Sequence, residues 1–155
     1  MSDAIVKPAP VRPSPSPRRV RALECRVESG GIAIPVDAVG QIVEYEVAPL
    51  PLARGAVRGL GLVDGALVVS LGMGRCGSGR RRAKAVLLRT TNGVGHWAFE
   101  VTEVLTFIEV DEPGSHALLA PLRRVATSDA RELTWIDADR VVADADALIG
   151  HEALQ

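Results

Sequence analysis

A mostly β protein is the fold class the sequence predicts, and three observations predict it. Asp64-Gly65 and Asn92-Gly93 each lie between two apolar runs, the pattern of a tight hairpin whose turn needs positive φ angles. Strand-like runs follow one another without the long intervening helices of a parallel α/β sheet. Hydrophobic residues make up 47% of the 155-residue chain but aromatics only 3%, so Val, Leu, Ile and Ala must fill the core, a composition that suits β-branched strands.

The elements follow in order. Pro8 to Pro17 holds five prolines among Ala, Val, Arg and Ser, which favours extended polyproline II and predicts a disordered, basic tail over 1–22. Its SPSPRR stretch has an alternative reading as an SH3-like or WW-like ligand or a modification site. From Leu23 the chain reads as one domain, 23–155. LECRVES alternates apolar and polar residues, Gly30-Gly31 turns, and IAIPV forms a second strand. Asp37 then caps a brief helical turn through Val39 and Ile42, and YEVAPLPLA, with two prolines, is an extended connection excluded from a central strand.

VRGLGLV and ALVVSL pair through Asp64-Gly65 in a type I′ turn, and AKAVLLRT pairs through Asn92-Gly93 with the strand around HWAFEV. VLTFIEV and LTWID, with Trp135, add two strands. In the segment about 138–154, Val141, Ala145, Leu148 and Ile149 share one helical face, with Asp137 or Asp139 as the cap. About eight strands, one or two short helices and no βαβ alternation point to small antiparallel barrels with a C-terminal helix packed on them.

The net charge of -1 hides a division: residues 1–92 carry 14 Lys and Arg against 7 acids, and residues 93–155 carry 4 against 12. Such a division can orient partners through long-range attraction, or it can be ordinary solvated surface. Cys25 and Cys76 are far apart and near no His at metal spacing, so a reduced, cytoplasmic chain with free, partly buried thiols is expected. The first residues lack a signal peptide's apolar stretch, and no run of 18 apolar residues occurs, so membrane insertion is not expected.

Little here supports catalysis. GMGRCG, Gly72 to Gly77, has G-x-G-x-x-G spacing after an apparent strand, but Ser-Gly-Arg-Arg-Arg is a poor start for the helix that a dinucleotide site needs. Arg75, Arg80, Arg81, Arg82 and Lys84 make loop 72–84 basic enough to touch phosphate, which keeps a nucleotide- or nucleic-acid-binding alternative open, although no aromatic residue is interleaved to stack on bases. A solvated loop that protects a strand edge is the other reading. His96, His116 and His151 are scattered, Ser70, Ser78 and Ser115 sit in no nucleophile elbow, and Cys76 has no evident activating base. Glu100, Glu103 and Glu109 fall on strand patterns and read as a polar face. No catalytic residue, cofactor or metal is expected.

The order of elements from IAIPVDAVGQIVEY through PLPLARGAVRGLGLVDGALVVSL, then VLLRTTNGVGHWAFEVTEVLTF and LTWIDADRVVA, resembles the CheW-like domain of bacterial chemosensory adaptors. The likeness covers about Leu23 to Leu148 and lies in the order of short motifs; Val101, Glu103, Val104 and Leu105 fit the family's acidic V-D-x-V pattern. It implies two small five-stranded SH3-like barrels sharing a hydrophobic junction. It also implies a non-enzymatic bridge between the cytoplasmic tip of chemoreceptors and the regulatory domain of a CheA-type histidine kinase. Val39, Gln41, Arg58, Gly59 and Asp64 are the implied partner-binding residues. Where the family has Asn-Leu-Arg-Gly, this chain has Leu62-Val63-Asp64-Gly65, a reversed charge; Gly72 stands where Asp is common, and Thr102 replaces an acid. These departures bear on the partners more than on the fold.

Overall fold

The computed structural model describes residues 18–50, 55–73, 79–91, 96–112 and 123–153. The Pro-rich tail, the centre of the Gly/Arg-rich loop with Cys76, and the Asn92-Gly93 turn lie outside the described residues. The elements are β1 (Arg19–Val27), β2 (Gly30–Pro35), a 3-10 turn (Val36–Ala38), β3 (Val39–Pro49), β4 (Val57–Val63), β5 (Ala66–Leu71), β6 (Arg81–Leu88), β7 (Trp97–Val101), β8 (Glu103–Asp111), β9 (Arg123–Ala126), β10 (Glu132–Trp135) and α1 (Ala138–Ala153). The first strand thus begins four residues before Leu23, where the composition changes.

The central strands form a closed barrel in the order β3-β4-β5-β7-β6, and the others form a five-stranded sheet ordered β8-β1-β2-β10-β9. The sheet's two ends touch at a single bridge, Val110 to Thr127. Of the two expected barrels, one is closed by a full ladder and the other is a curled sheet. Pairing is mainly antiparallel, with parallel contacts between β5 and β7 and between β2 and β10.

Three apolar clusters hold this arrangement. Val43, Tyr45, Val47, Val68 and Ala85 fill the barrel. Ala22, Ala33, Val110, Val125 and Leu133 fill the curve of the sheet. Between them, Leu23, Cys25, Ile32, Ile34, Leu71, Val86, Phe99 and Ile136 form the shared junction, onto which α1 packs Ala138 and Ala145 with Val141 and Ile149. Asp137 caps α1, accepting the Arg140 amide at 3.2 Å, whereas Asp139 accepts the backbone N–H (2.7 Å) and the hydroxyl (2.5 Å) of Thr91 and ties the helix to the end of β6.

Several local expectations change. The first hairpin turns at Glu28-Ser29, and Gly30-Gly31 open β2 instead. The helical turn stops at Ala38 with no side-chain cap, so Val39 and Ile42 belong to β3 rather than to a helix. YEVAP is a barrel strand, not a connection: Tyr45 and Val47 point inward, and Pro49 falls at the strand end, where a missing N–H costs no interior ladder bond. Strand β9 was not foreseen, because four residues with two arginines carry no alternating signal.

Folding brings part of the charge division together. β1 pairs with β8 so that Arg19, Arg21 and Arg26 lie opposite Asp111, Glu109 and Glu103. Basic residues of the first half and acidic residues of the second therefore meet across one ladder, where opposite charges attract.

Candidate protein-binding surface

The β4-β5 hairpin turns as its sequence requires. Asp64 has φ 50° and Gly65 φ 81°, the two left-handed residues of a type I′ turn. Below the tip, Leu62 and Leu67 are cross-strand partners on the outer face, 64% and 58% exposed. The side chains facing inward along the same hairpin, Val63 and Val68, pack in the barrel. The outward apolar pair lies next to an acidic tip, a small apolar patch with a charged neighbour.

The other implied contact residues lie on β3 and β4. β3 runs antiparallel to β4, pairing Ala48 with Leu60 and Pro49 with Gly59, so the start of β3 lies towards the hairpin tip. Gln41 and its neighbour Ile42 are exposed there, Ile42 by 48%. Val39 is half-buried and packs against the junction. Arg58 and Gly59, at the start of β4, lie at the opposite end.

Gly59 and Gly61 each have a role in the barrel. A Cβ on Gly59 would come within 2.8 Å of Val47 Cγ1, and one on Gly61 within 2.7 Å of the Tyr45 ring. Their missing side chains let β3 lie close over β4.

The end of the barrel that holds Arg58 contains a polar chain that the sequence conceals. Tyr45 Oη is 2.7 Å from Ser70 Oγ, and Ser70 donates to Glu100 Oε2 at 2.6 Å. Since the serine proton goes to Glu100, Tyr45 must donate to Ser70. Glu100 also accepts both terminal nitrogens of Arg81, Nη2 at 2.8 Å. Burial pushes the Tyr45 hydroxyl up to about 12, opposed by its bond to Ser70. Glu100 is therefore an internal anchor, not part of an exposed polar face, and Ser70 is not isolated; only their pairing across strands 30 residues apart reveals it.

Three arginines on the described flank of the basic loop are matched by carboxylates. Arg80 meets Glu46 at 3.7 Å, Arg81 meets Glu100, and Arg82 meets Glu44 at 3.4 Å. Cys25 is fully buried, and burial together with the neighbouring Glu24 pushes its thiol up to about 11. Among the described residues, no cluster of three or more His, Cys, Asp or Glu is placed to hold a metal. Among them also, no helix is long and apolar enough to cross a membrane.

No protein-family model matches this chain, and no curated protein matches it either. Among solved structures it is similar to the scaffolding protein TtCheW from Thermoanaerobacter tengcongensis, with a TM-score of 0.59 and 11% identity over 80% of this chain and 92% of that one. At that identity the likeness is one of fold, and the barrel, the curled sheet and the helix between them make a CheW-like architecture.

Proposed function

We propose that this chain is a non-enzymatic, cytoplasmic adaptor of bacterial chemosensory signalling. In this reading it couples the cytoplasmic tip of chemoreceptors to the regulatory domain of a CheA-type histidine kinase, with partner preferences altered at Asp64. The observation that carries the reading is the exposed Leu62–Leu67 pair at the tip of the barrel, on a fold shared with a scaffolding protein. Leu62 and Leu67 supply apolar contact, while Gln41 and Asp64 supply polar groups beside them and Val39 backs the surface from the junction. Arg58 and Gly59 belong to the other end of the barrel, and Gly59 acts there through its backbone.

The test is capture of a kinase regulatory domain and of a receptor-tip fragment by the full chain, beside the variants L62E and L67E. These side chains are solvent-exposed, so the variants should fold normally and lose at least one partner. Capture of neither fragment by the unaltered chain, or undiminished capture by L62E/L67E, would overturn the assignment.

A further inference from the structure

The half of the β4-β5 hairpin that carries Leu62 and Leu67 has no ladder on either flank. β4 pairs with β3 only at Gly59 and Leu60, and β5 pairs with β7 only from Val69 to Leu71. Beyond those ladders, Gly61 to Val63 and Ala66 to Val68 pair with each other alone among the described residues. A two-stranded arm has little stability of its own, so its inclination is set by what packs beneath it.

Tyr45 lies beneath it. Its ring occupies the space that a side chain on Gly61 would need, with Cε2 2.7 Å from where that Cβ would sit, and its hydroxyl donates to Ser70 on β5 at 2.7 Å. One side chain thus crosses under the hairpin from β4 to β5. Gly61 faces Val68 across the ladder, and the next pair towards the tip is Leu62 with Leu67. The far end of the tyrosine's bond is itself fixed. Ser70 is fully buried and donates to Glu100 at 2.6 Å, and Glu100 holds Arg81 with both carboxylate oxygens.

We infer that Tyr45 is a positioning residue for the contact surface: its ring under Gly61 and its bond to Ser70 hold the arm at one inclination, so that Leu62 and Leu67 meet a partner already in place. A contact pair that spends only a fraction of its time in the binding orientation binds more weakly by that fraction, and this is the loss that a loosened arm produces. The effect on affinity rests on the contact role proposed above for the leucine pair. The effect on the arm itself does not.

The experiment compares the full chain with Y45F, S70A, the double variant and R131M, the last of which removes the partner of Glu24 in the other sheet and touches nothing in the arm. Methyl NMR relaxation of Leu62 and Leu67 is read in the unbound protein, and affinity for the kinase and receptor-tip fragments is read by calorimetry. Y45F and S70A should each raise the motion of both leucines and weaken binding about threefold, as loss of one hydrogen bond demands, and the double variant should be no worse than S70A. R131M should lower the thermal midpoint and change neither readout. If Y45F does not fold, S70A against R131M decides. Unchanged leucine relaxation in Y45F and S70A, the same change in R131M, or undiminished affinity beside a loosened arm would each overturn the assignment. Capture of neither fragment by the unaltered chain would remove the adaptor reading, and leucine relaxation would then decide the role of Tyr45 by itself.

Discussion

Arg131 closes a fork on Glu24, 107 residues earlier, with its two terminal nitrogens 2.7 and 3.0 Å from the carboxylate oxygens. Glu24 lies on β1 and is 4% exposed, so its charge is held inside the sheet by a residue of the opposite half of the chain. Thr127 and Asp129 brace the arrangement: Thr127 Oγ1 accepts the Arg131 amide at 3.0 Å, and Asp129 accepts Arg131 Nε at 2.9 Å. The paired carboxylates hold the Arg131 guanidinium protonated well beyond its ordinary range, while the Thr127 hydroxyl first and Arg131 second hold the Asp129 carboxyl below the usual carboxylate range.

Replacing Arg131 by Met should therefore lower the thermal midpoint clearly, because a buried carboxylate loses its countercharge. Arg131→Lys should recover only part of the loss, since an ammonium cannot make the two parallel bonds. Thermal unfolding of the three proteins measures this, and equal midpoints for all three would remove Arg131 from the fold's supports.

Gly61→Ala tests the close approach of β3 to β4. The added methyl meets the Tyr45 ring, fixed at its other end by Ser70, and should destabilise by about 1–3 kcal/mol, the usual cost of overpacking. Urea midpoints at a constant slope would show it. The same change at Gly65, where nothing lies within 4 Å, tests instead the cost of a positive φ without a clash.

Alkali should unfold the protein in a defined window. Tyr45 is raised from 10.0 to about 12 and Cys25 from 9.0 to about 11, each chiefly by burial of a group that is neutral in the folded state. The unfolded chain gives up these protons first, so their contribution is complete below about pH 9 and is lost as pH rises through 11 and 12. A Tyr45→Phe, Cys25→Ala variant should start less stable and decline less steeply between those limits. A parallel decline of both proteins would assign the alkaline loss to other groups.

Asp64 should separate turn stability from partner choice. Asp64→Asn keeps a side chain tolerated at φ 50° and should leave stability unchanged, whereas Asp64→Arg should cost about 1 kcal/mol from left-handed strain. If Asp64 orients a partner, affinity should fall from Asp to Asn to Arg, and the differences should shrink as salt rises. An affinity that tracks stability instead would make Asp64 a turn residue alone.

The legible part of this fold was local. Asp64-Gly65 announced its hairpin because a type I′ turn admits few residue pairs, and the helix over 138–153 showed in the spacing of Val141, Ala145 and Ile149. β3 was hidden because its prolines read as a connection; Pro49 is tolerated at a strand end that adjacent residues cannot reveal. β9, four residues long, was invisible because its partner β10 supplies the reason for its existence.

The candidate surface divides the same way. The sequence by itself determined the hairpin tip, the apolar content of its strands and the chain's separation into basic and acidic halves, since each depends on neighbours a few positions apart. Only the tertiary structure decided that Leu62 and Leu67 face outward while Val63 and Val68 face inward. A strand's alternation is visible in one dimension, but which side is buried depends on what packs against it. It likewise decided that Ser70 hydrogen-bonds Glu100 and that three arginines of β1 lie opposite three acids of β8. Long-range pairing sets those distances, and no local pattern encodes them.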